Sequence, residues 1–152
     1  MLVARGRLER RQAIVEIGFQ AFVPQILAVE PEQRSIEIPI QGYRALLDTG
    51  AQRTCLTRRV IGIESLKSHG KRFIQNVHNE ARHYLYWATI GFFANGTDTD
   101  VSETRTYFGL PHPTEIIDIA NNENFDAILG MDVLERFDLR FDRTGDFELR
   151  LA

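Results

Sequence analysis

The sequence predicts an all-β fold, and three observations support that class. Apolar and polar residues alternate with period two in several short runs, which is the pattern of half-buried strands. Glycine, proline, asparagine and aspartate separate these runs. Helical spacing is scarce, and its clearest case is residues 131–137, enough for one short helix of about two turns.

The size and composition of the chain predict one packed domain. It has 152 residues, of which 43% are hydrophobic and 26% are charged. This length supports a single core but not two independent ones, and the composition is that of a globular protein. We expect a basic, solvated N-terminal arm at residues 1–12 and a single domain at residues 13–152, because four arginines occur before residue 12.

The first strands are predicted on either side of a proline. Residues 15–21 alternate apolar and polar side chains, and Pro24 then interrupts the pattern. Residues 36–40 repeat it. A Gln-Gly pair at residues 41–42 predicts a hairpin turn into a further strand at residues 43–47.

A long hairpin is predicted in the middle of the chain. Its arms are residues 73–76 and 82–93, and residues 77–80 form its polar tip. The second arm has large side chains on both faces, so we expect both faces to be partly covered. Further strands are predicted at residues 103–108 and 115–120.

The remaining elements are short. Thr57 is placed to cap a helical turn that ends at Val60. After the predicted short helix, residues 139–141 and 147–151 form a terminal hairpin around a turn at residues 143–146.

Charge, histidine spacing and cysteine content argue against several classes of partner. The net charge of -3 provides no general attraction for nucleic acid or an anionic membrane. The four histidines have no metal-ligand spacing, so we expect neither a metal nor another cofactor. No apolar run approaches the roughly 20 residues that span a bilayer. The single cysteine, Cys55, cannot form an internal disulfide, so we expect a core role for it and a reducing, cytoplasmic location.

The most informative motif is Leu-Leu-Asp-Thr-Gly-Ala at residues 46–51. It places Asp48 at the end of an apolar strand, where a carboxylate is costly unless it is satisfied or functional. Gly50 then allows a tight turn. In the alternative interpretation, Asp48 only caps this turn by accepting from the N–H groups of Gly50 and Ala51.

A second motif lies at residues 125–134, with the sequence Phe-Asp-Ala-Ile-Leu-Gly-Met-Asp-Val-Leu. Here an apolar strand that contains Ile128 and Leu129 ends at Gly130, where another backbone could pass closely. The short helix would follow, with Asp132 interpreted as an early-helix acid favoured by the helix dipole.

The order of these features resembles that of the retropepsin-like aspartic proteases. This family includes retroviral proteases, the protease-like domain of eukaryotic ubiquitin-shuttle proteins and small bacterial relatives. The resemblance covers residues 36–151, and the bacterial and ubiquitin-shuttle members look most similar through residues 129–137. It implies a small closed barrel with a long flap hairpin, which pairs with a second copy so that each copy supplies one aspartate.

The resemblance also implies roles for individual residues. Asp48 would be catalytic, Thr49 would join the active-site loops of the two copies, and Gly50 and Ala51 would complete that loop. Residues 128–130 would form the structural motif below it. The substrate flap would carry Asn76, Val77, His78, Asn79 and Glu80 at its tip.

The chain departs from retroviral members at two places. Its flap tip lacks the glycines that are typical of them. Gln52 and Met131 occupy positions where retroviral members have an ion pair that braces the dimer, so bracing must differ here.

Reaction chemistry gives a separate reason for pairing. Metal-free peptide hydrolysis needs one group to take a proton from water and another to protonate the carbonyl or amine. Two carboxyls about 3 Å apart can share one proton and perform both roles. Together with the resemblance, this requirement predicts a homodimeric aspartic endopeptidase that acts on extended polypeptides. The alternative is a catalytically inactive, dimeric peptide-binding module of the same fold.

Overall fold

Strands dominate the computed structural model, which describes residues 2–21, 40–75, 80–94 and 106–151. The strands in these ranges are β1 (Leu2–Glu9), β2 (Gln12–Ala21), β3 (Tyr43–Leu47), β4 (Cys55–Thr57), β5 (Ser68–Gln75), β6 (Glu80–Ala94), β7 (Thr106–Gly109), β8 (Thr114–Ile119), β9 (Ala127–Leu129), β10 (Asp138–Phe141) and β11 (Asp146–Leu151). The helices are α1 (Arg58–Ile63) and α2 (Met131–Leu134). The prediction of an all-β fold is confirmed.

The strands form one hydrogen-bonded sheet in the order β10-β11-β1-β2-β3-β9-β4-β8-β6-β5, and β7 pairs with β6. Strand β2 also pairs with β6. The first and last strands of the series β2-β3-β9-β4-β8-β6 are therefore hydrogen-bonded to each other. Most neighbours are antiparallel, but β3 runs parallel to β9 and β4 runs parallel to β8. The parallel pairs bring the Asp48 turn and the Gly130 region to the same end of the sheet.

Alternation places the apolar side chains in the interior, as the sequence predicts. On β2, Val15, Ile17 and Phe19 are buried. The largest fully buried side chains also include Tyr43 and Phe92. This core supports the strands from which the candidate site projects.

The predicted long hairpin is confirmed as β5 and β6, and the predicted terminal hairpin as β10 and β11. Part of the sequence prediction falls on residues outside the described ranges. These are residues 36–39 of an early strand, residues 77–79 of the hairpin tip and residues 103–105 before β7.

The helices differ from the prediction in number and length. There are two of them in the described ranges, and α2 ends at Leu134. Beyond it, the N–H groups of Arg136 and Phe137 bond carbonyls three residues back, which tightens the chain into turns. Thr57 precedes α1 but makes no side-chain cap bond, and its hydroxyl is buried without a partner in the described structure.

The Arg-rich start of the chain is a strand. Residues of β1 pair with β11 on one side and with β2 on the other. Ala4 is buried while Arg5 and Arg7 are exposed, so the strand alternates despite its small inward residues. The expectation of a solvated arm was wrong for this segment, and the division at residue 12 stays a prediction. No helix in the described ranges has the length and apolar character to cross a membrane.

Candidate active site

Asp48 lies where β3 ends, beside the end of β9. Its N–H donates to the carbonyl of Leu129 at 3.0 Å, which extends the parallel pairing of Leu47 with Leu129 by one residue. The side chain of Asp48 is half-buried, and Thr49 and Gly50 after it are exposed. The turn therefore holds its backbone on the sheet and presents its side chains at the surface.

The carboxylate of Asp48 closes its own turn. The N–H of Gly50 donates to Asp48 Oδ1 at 2.9 Å, and the N–H of Ala51 donates to the Asp48 carbonyl at 3.1 Å. The turn-capping contact is thus present for Gly50, while Ala51 bonds the main chain instead. No described residue donates to Asp48 Oδ2, so this oxygen is open to a further partner.

The segment after β9 holds the rest of the Asp48 loop. The N–H of Met131 donates to the Ala51 carbonyl at 2.8 Å, and the N–H of Asp132 donates to the Gln52 carbonyl at 3.2 Å. These bonds use the free N–H groups at the start of α2. The loop is therefore fixed by main-chain contacts on both sides of its turn.

Gly130 allows this close approach of the two segments. A Cβ atom at Gly130 would lie 2.6 Å from the carbonyl carbon of Arg53 and 2.8 Å from its nitrogen. Such distances require a shift of the backbone. Ile128 pairs with Leu46 and with Cys55, and Leu129 is fully buried, so residues 128–130 hold the loop from below.

Two polar residues that the sequence analysis did not assign to the site complete this contact. Thr54 is fully buried. Its hydroxyl donates to Asp132 Oδ1 at 2.8 Å and accepts from the N–H of Gly130 at 3.1 Å, while its own N–H donates to Asp132 Oδ2 at 3.0 Å. Asp132 is therefore a bridge to the Asp48 loop and not merely an early-helix acid. The sequence carried no signal for this contact, because the burial of Thr54 and its approach to Asp132 depend on the tertiary structure.

A buried acid, Asp118, lies on β8 and joins three elements. Its carboxylate accepts from the N–H of Tyr84 at 2.9 Å and from Nε of Arg58 at 3.2 Å. Nδ1 of His83 lies 3.3 Å from Oδ1 and 2.7 Å from the Asp118 carbonyl oxygen. The cluster connects α1, β6 and β8, and its contacts are those of a structural group.

Cys55 is unsuited to act as a nucleophile. Its side chain is buried, and its Sγ lies 3.6 Å from the Arg53 carbonyl. Burial raises the pKa of the thiol to about 12, with further contributions from the carboxylates of Asp132, Asp48 and Asp118. The expected core role of this cysteine is confirmed.

The arms of the predicted flap are present, but its tip lies outside the described ranges. Residues Asn76, Val77, His78 and Asn79 are not described, and Glu80 begins β6 opposite Gln75. Within the described ranges, no group of three or more His, Cys, Asp or Glu side chains is arranged to hold a metal ion.

Comparison with protein-family models and with curated proteins found no match. Among solved structures, the chain is similar to a retropepsin-like aspartic protease from Rickettsia conorii, with a TM-score of 0.54 and 15% identity over 99% of this chain and 93% of that chain. The retroviral protease-like domain of Ddi1 from Leishmania major aligns with a TM-score of 0.38 and 12% identity, over 86% of this chain and 82% of that one. The rickettsial structure confirms the predicted fold, so this chain has a retropepsin-like fold.

Proposed function

We propose that this protein is an aspartic endopeptidase in which two copies of the chain each supply Asp48. The observation that carries the proposal is the open carboxylate oxygen of Asp48, on a turn that main-chain bonds hold in place. A fixed, accessible carboxylate is what a general base toward water requires. The retropepsin-like fold supports the same assignment.

The reaction needs a second carboxyl. One Asp48 would accept a proton from the attacking water, and the protonated Asp48 of the other copy would polarise the scissile carbonyl and then return a proton. The sequence contains Asp-Thr-Gly once, at residues 48–50, so one copy supplies one such aspartate. The chemistry therefore supports a homodimer in which neither copy is active alone.

The surface offers an edge for such pairing. Strand β10 lies at one end of the strand order, and no described strand pairs with its outer edge. Phe141 on this strand is 53% exposed. A two-fold antiparallel pairing centred on Leu139 would place Asp138 of each copy opposite Arg140 of the other, which is favourable for charge.

The proposal of a dimeric endopeptidase also assigns roles to the residues that follow Asp48 and to the hairpin. Exposed Thr49 would bond the equivalent turn of the second copy, and Gly50 and Ala51 would face the substrate main chain. The predicted substrate flap, residues 76–80, would close over an extended peptide that adds to the sheet as a further strand. We also propose a cytoplasmic location, because the lone cysteine provides no internal disulfide.

The second candidate is a dimeric module that binds extended peptides without cleaving them. It is favoured by the contact from the Gly50 N–H to Asp48 Oδ1, since that contact is also what a purely turn-capping aspartate makes. Both functions would use the surface beside the Asp48 turn, and they differ in whether peptide bonds break.

Incubation with a mixed peptide library separates the two functions. We expect the wild-type protein to cleave peptides from acidic to neutral pH, and the Asp48→Asn variant to have the same dimer mass by light scattering but no cleavage. Binding without cleavage under every condition would favour the binding module. A monomeric mass at working concentration would contradict the paired-carboxylate mechanism.

A further inference from the structure

A pocket of about 430 Å³ opens beside the end of the Asp48 loop. Its polar lining comes from the loop, from the start of β8 and from the region of α2. The residues concerned are Gln52, Arg53, Thr114, Glu115, Asp132 and Arg136. The pocket therefore adjoins the segment that a peptide bound along the loop would follow.

The two acids of the pocket wall already have partners. Nη1 of Arg53 lies 3.0 Å from Glu115 Oε1, and Nε2 of His69 lies 3.4 Å from Glu115 Oε2. Both carboxylate oxygens of Asp132 accept hydrogen bonds from Thr54. These carboxylates are thus committed to the protein itself.

Two of the lining residues, Thr114 and Arg136, each carry a donor atom that has no acceptor in the described structure. The hydroxyl of Thr114 is buried without a hydrogen-bond partner, on a residue that is 7% exposed. Nη1 of Arg136 is also buried and unbonded, and no ion pair to the Arg136 guanidinium is found in the described ranges. Unsatisfied donors of this kind are rare and costly, which points to a ligand that supplies the missing acceptor.

We propose that this pocket receives the side-chain carboxylate of a glutamate or aspartate in the bound substrate, an inference that rests on the proposed function. A carboxylate offers two acceptor oxygens, which match a guanidinium N–H and a hydroxyl. The fixed carboxylates of Glu115 and Asp132 disfavour a dianion such as phosphate. Since this repulsion is smaller for a single negative charge, a singly charged acid fits the pocket better than a dianion.

The chain length between Asp48 and Gln52 limits the position of that acid. Four residues of extended chain span at most about 14 Å, and an extended peptide covers this distance in about four residues. The selected acid thus lies within about four residues of the cleaved bond. If the pocket selects the substrate, the preference for an acid should occur at one fixed position relative to the cleaved bond. General attraction to acidic peptides would give the same preference at every position.

The test uses pairs of peptides that differ only by Glu or Gln at one position, placed in turn at each of these positions. We expect kcat/KM to favour Glu by about tenfold or more at one position, as for a charge-assisted hydrogen bond. In the Arg136→Met variant the ratio should fall to about one. The matched variant Arg143→Met removes an exposed arginine of the 143–146 turn and should keep the wild-type ratio.

A second variant, Thr114→Val, tests the proposal independently in case Arg136→Met does not fold. Thr114→Val removes an unpartnered hydroxyl, so we expect unfolding stability to stay equal or rise while the Glu preference falls severalfold. A preference that survives both substitutions, or equal rates for Glu and Gln at every position, would overturn the proposal.

A binding measurement separates this proposal from the proposed function. The Asp48→Asn protein is titrated with the same peptide pairs and with sodium acetate at constant ionic strength. Tighter binding of the Glu peptide that depends on Arg136 supports the pocket even where the wild type cleaves nothing. Saturation by acetate with no difference between Glu and Gln peptides would indicate a site for free carboxylates and overturn the substrate role.

Discussion

Asp48 and Asp118 are both acids on the sheet, but their surroundings differ. Asp48 is half-buried, and one N–H group, that of Gly50, donates to its carboxylate in the described structure. Asp118 is 4% exposed and is contacted by Tyr84, Arg58 and His83. A carboxylate whose acceptor sites are filled by the protein is structural, whereas one with an open oxygen can bind water or substrate.

The largest effect is expected at Asp48, where activity and stability should separate. Asp48→Asn keeps an oxygen that can accept from Gly50, so we expect the free energy of unfolding to change by less than about 0.5 kcal/mol. Peptide cleavage should fall by about 10² to 10⁴-fold, because the general base is lost. Urea unfolding and cleavage assays on the same preparation measure both quantities. A large loss of stability would identify Asp48 as a turn cap.

The opposite result is expected at Asp118. Asp118→Ala leaves the N–H of Tyr84 without its partner, so we expect a loss of about 2 to 3 kcal/mol of unfolding free energy. Arg58 is 65% exposed and regains water, so it adds little. Asp118→Asn is the control, because its amide oxygen can still accept from Tyr84. Unchanged stability in the alanine variant would show that the cluster is not structural.

Glycine substitutions test how closely the Asp48 loop is held. Gly130→Ala places a methyl group against the Arg53 backbone, so we expect a loss of about 1 to 3 kcal/mol of unfolding free energy and reduced cleavage. Gly62→Ala in α1 is the matched control, since a Cβ there meets nothing within 4 Å. It should stabilise the protein by up to about 1 kcal/mol through helix propensity. Equal effects of the two substitutions would refute the close contact at Gly130.

The smallest effect concerns Cys55, which lies near the same acids. Because burial holds its pKa at about 12, the native thiol should react slowly with iodoacetamide at mildly alkaline pH and rapidly in denaturant. The pKa of the Cys55 thiol is higher in the folded protein than its reference value of 9.0. The neutral thiol therefore contributes fully to the free energy of unfolding below pH 9, and this contribution is lost as the pH rises toward about 12. Rapid alkylation of the native protein would contradict the buried position.

Much of the fold could be predicted because it depends on local pattern. Alternation located β2, β6 and β8, and the Asp-Thr-Gly turn located the end of β3. The β1 strand was missed because its inward side includes the small residues Ala4 and Gly6 and its outward side is rich in arginine. Small side chains weaken the hydrophobic contrast from which a strand is recognised.

By itself, the sequence determined the all-β class and the position of Asp48 at a strand end. These follow from side-chain alternation and backbone freedom, which are properties of neighbouring residues. Only the tertiary structure decided that Thr54 meets Asp132, 78 residues away, and that Thr114 and Arg136 line one pocket. Such contacts arise from the pairing of β3, β4, β8 and β9, because strand register brings together residues whose positions in the chain carry no mutual signal.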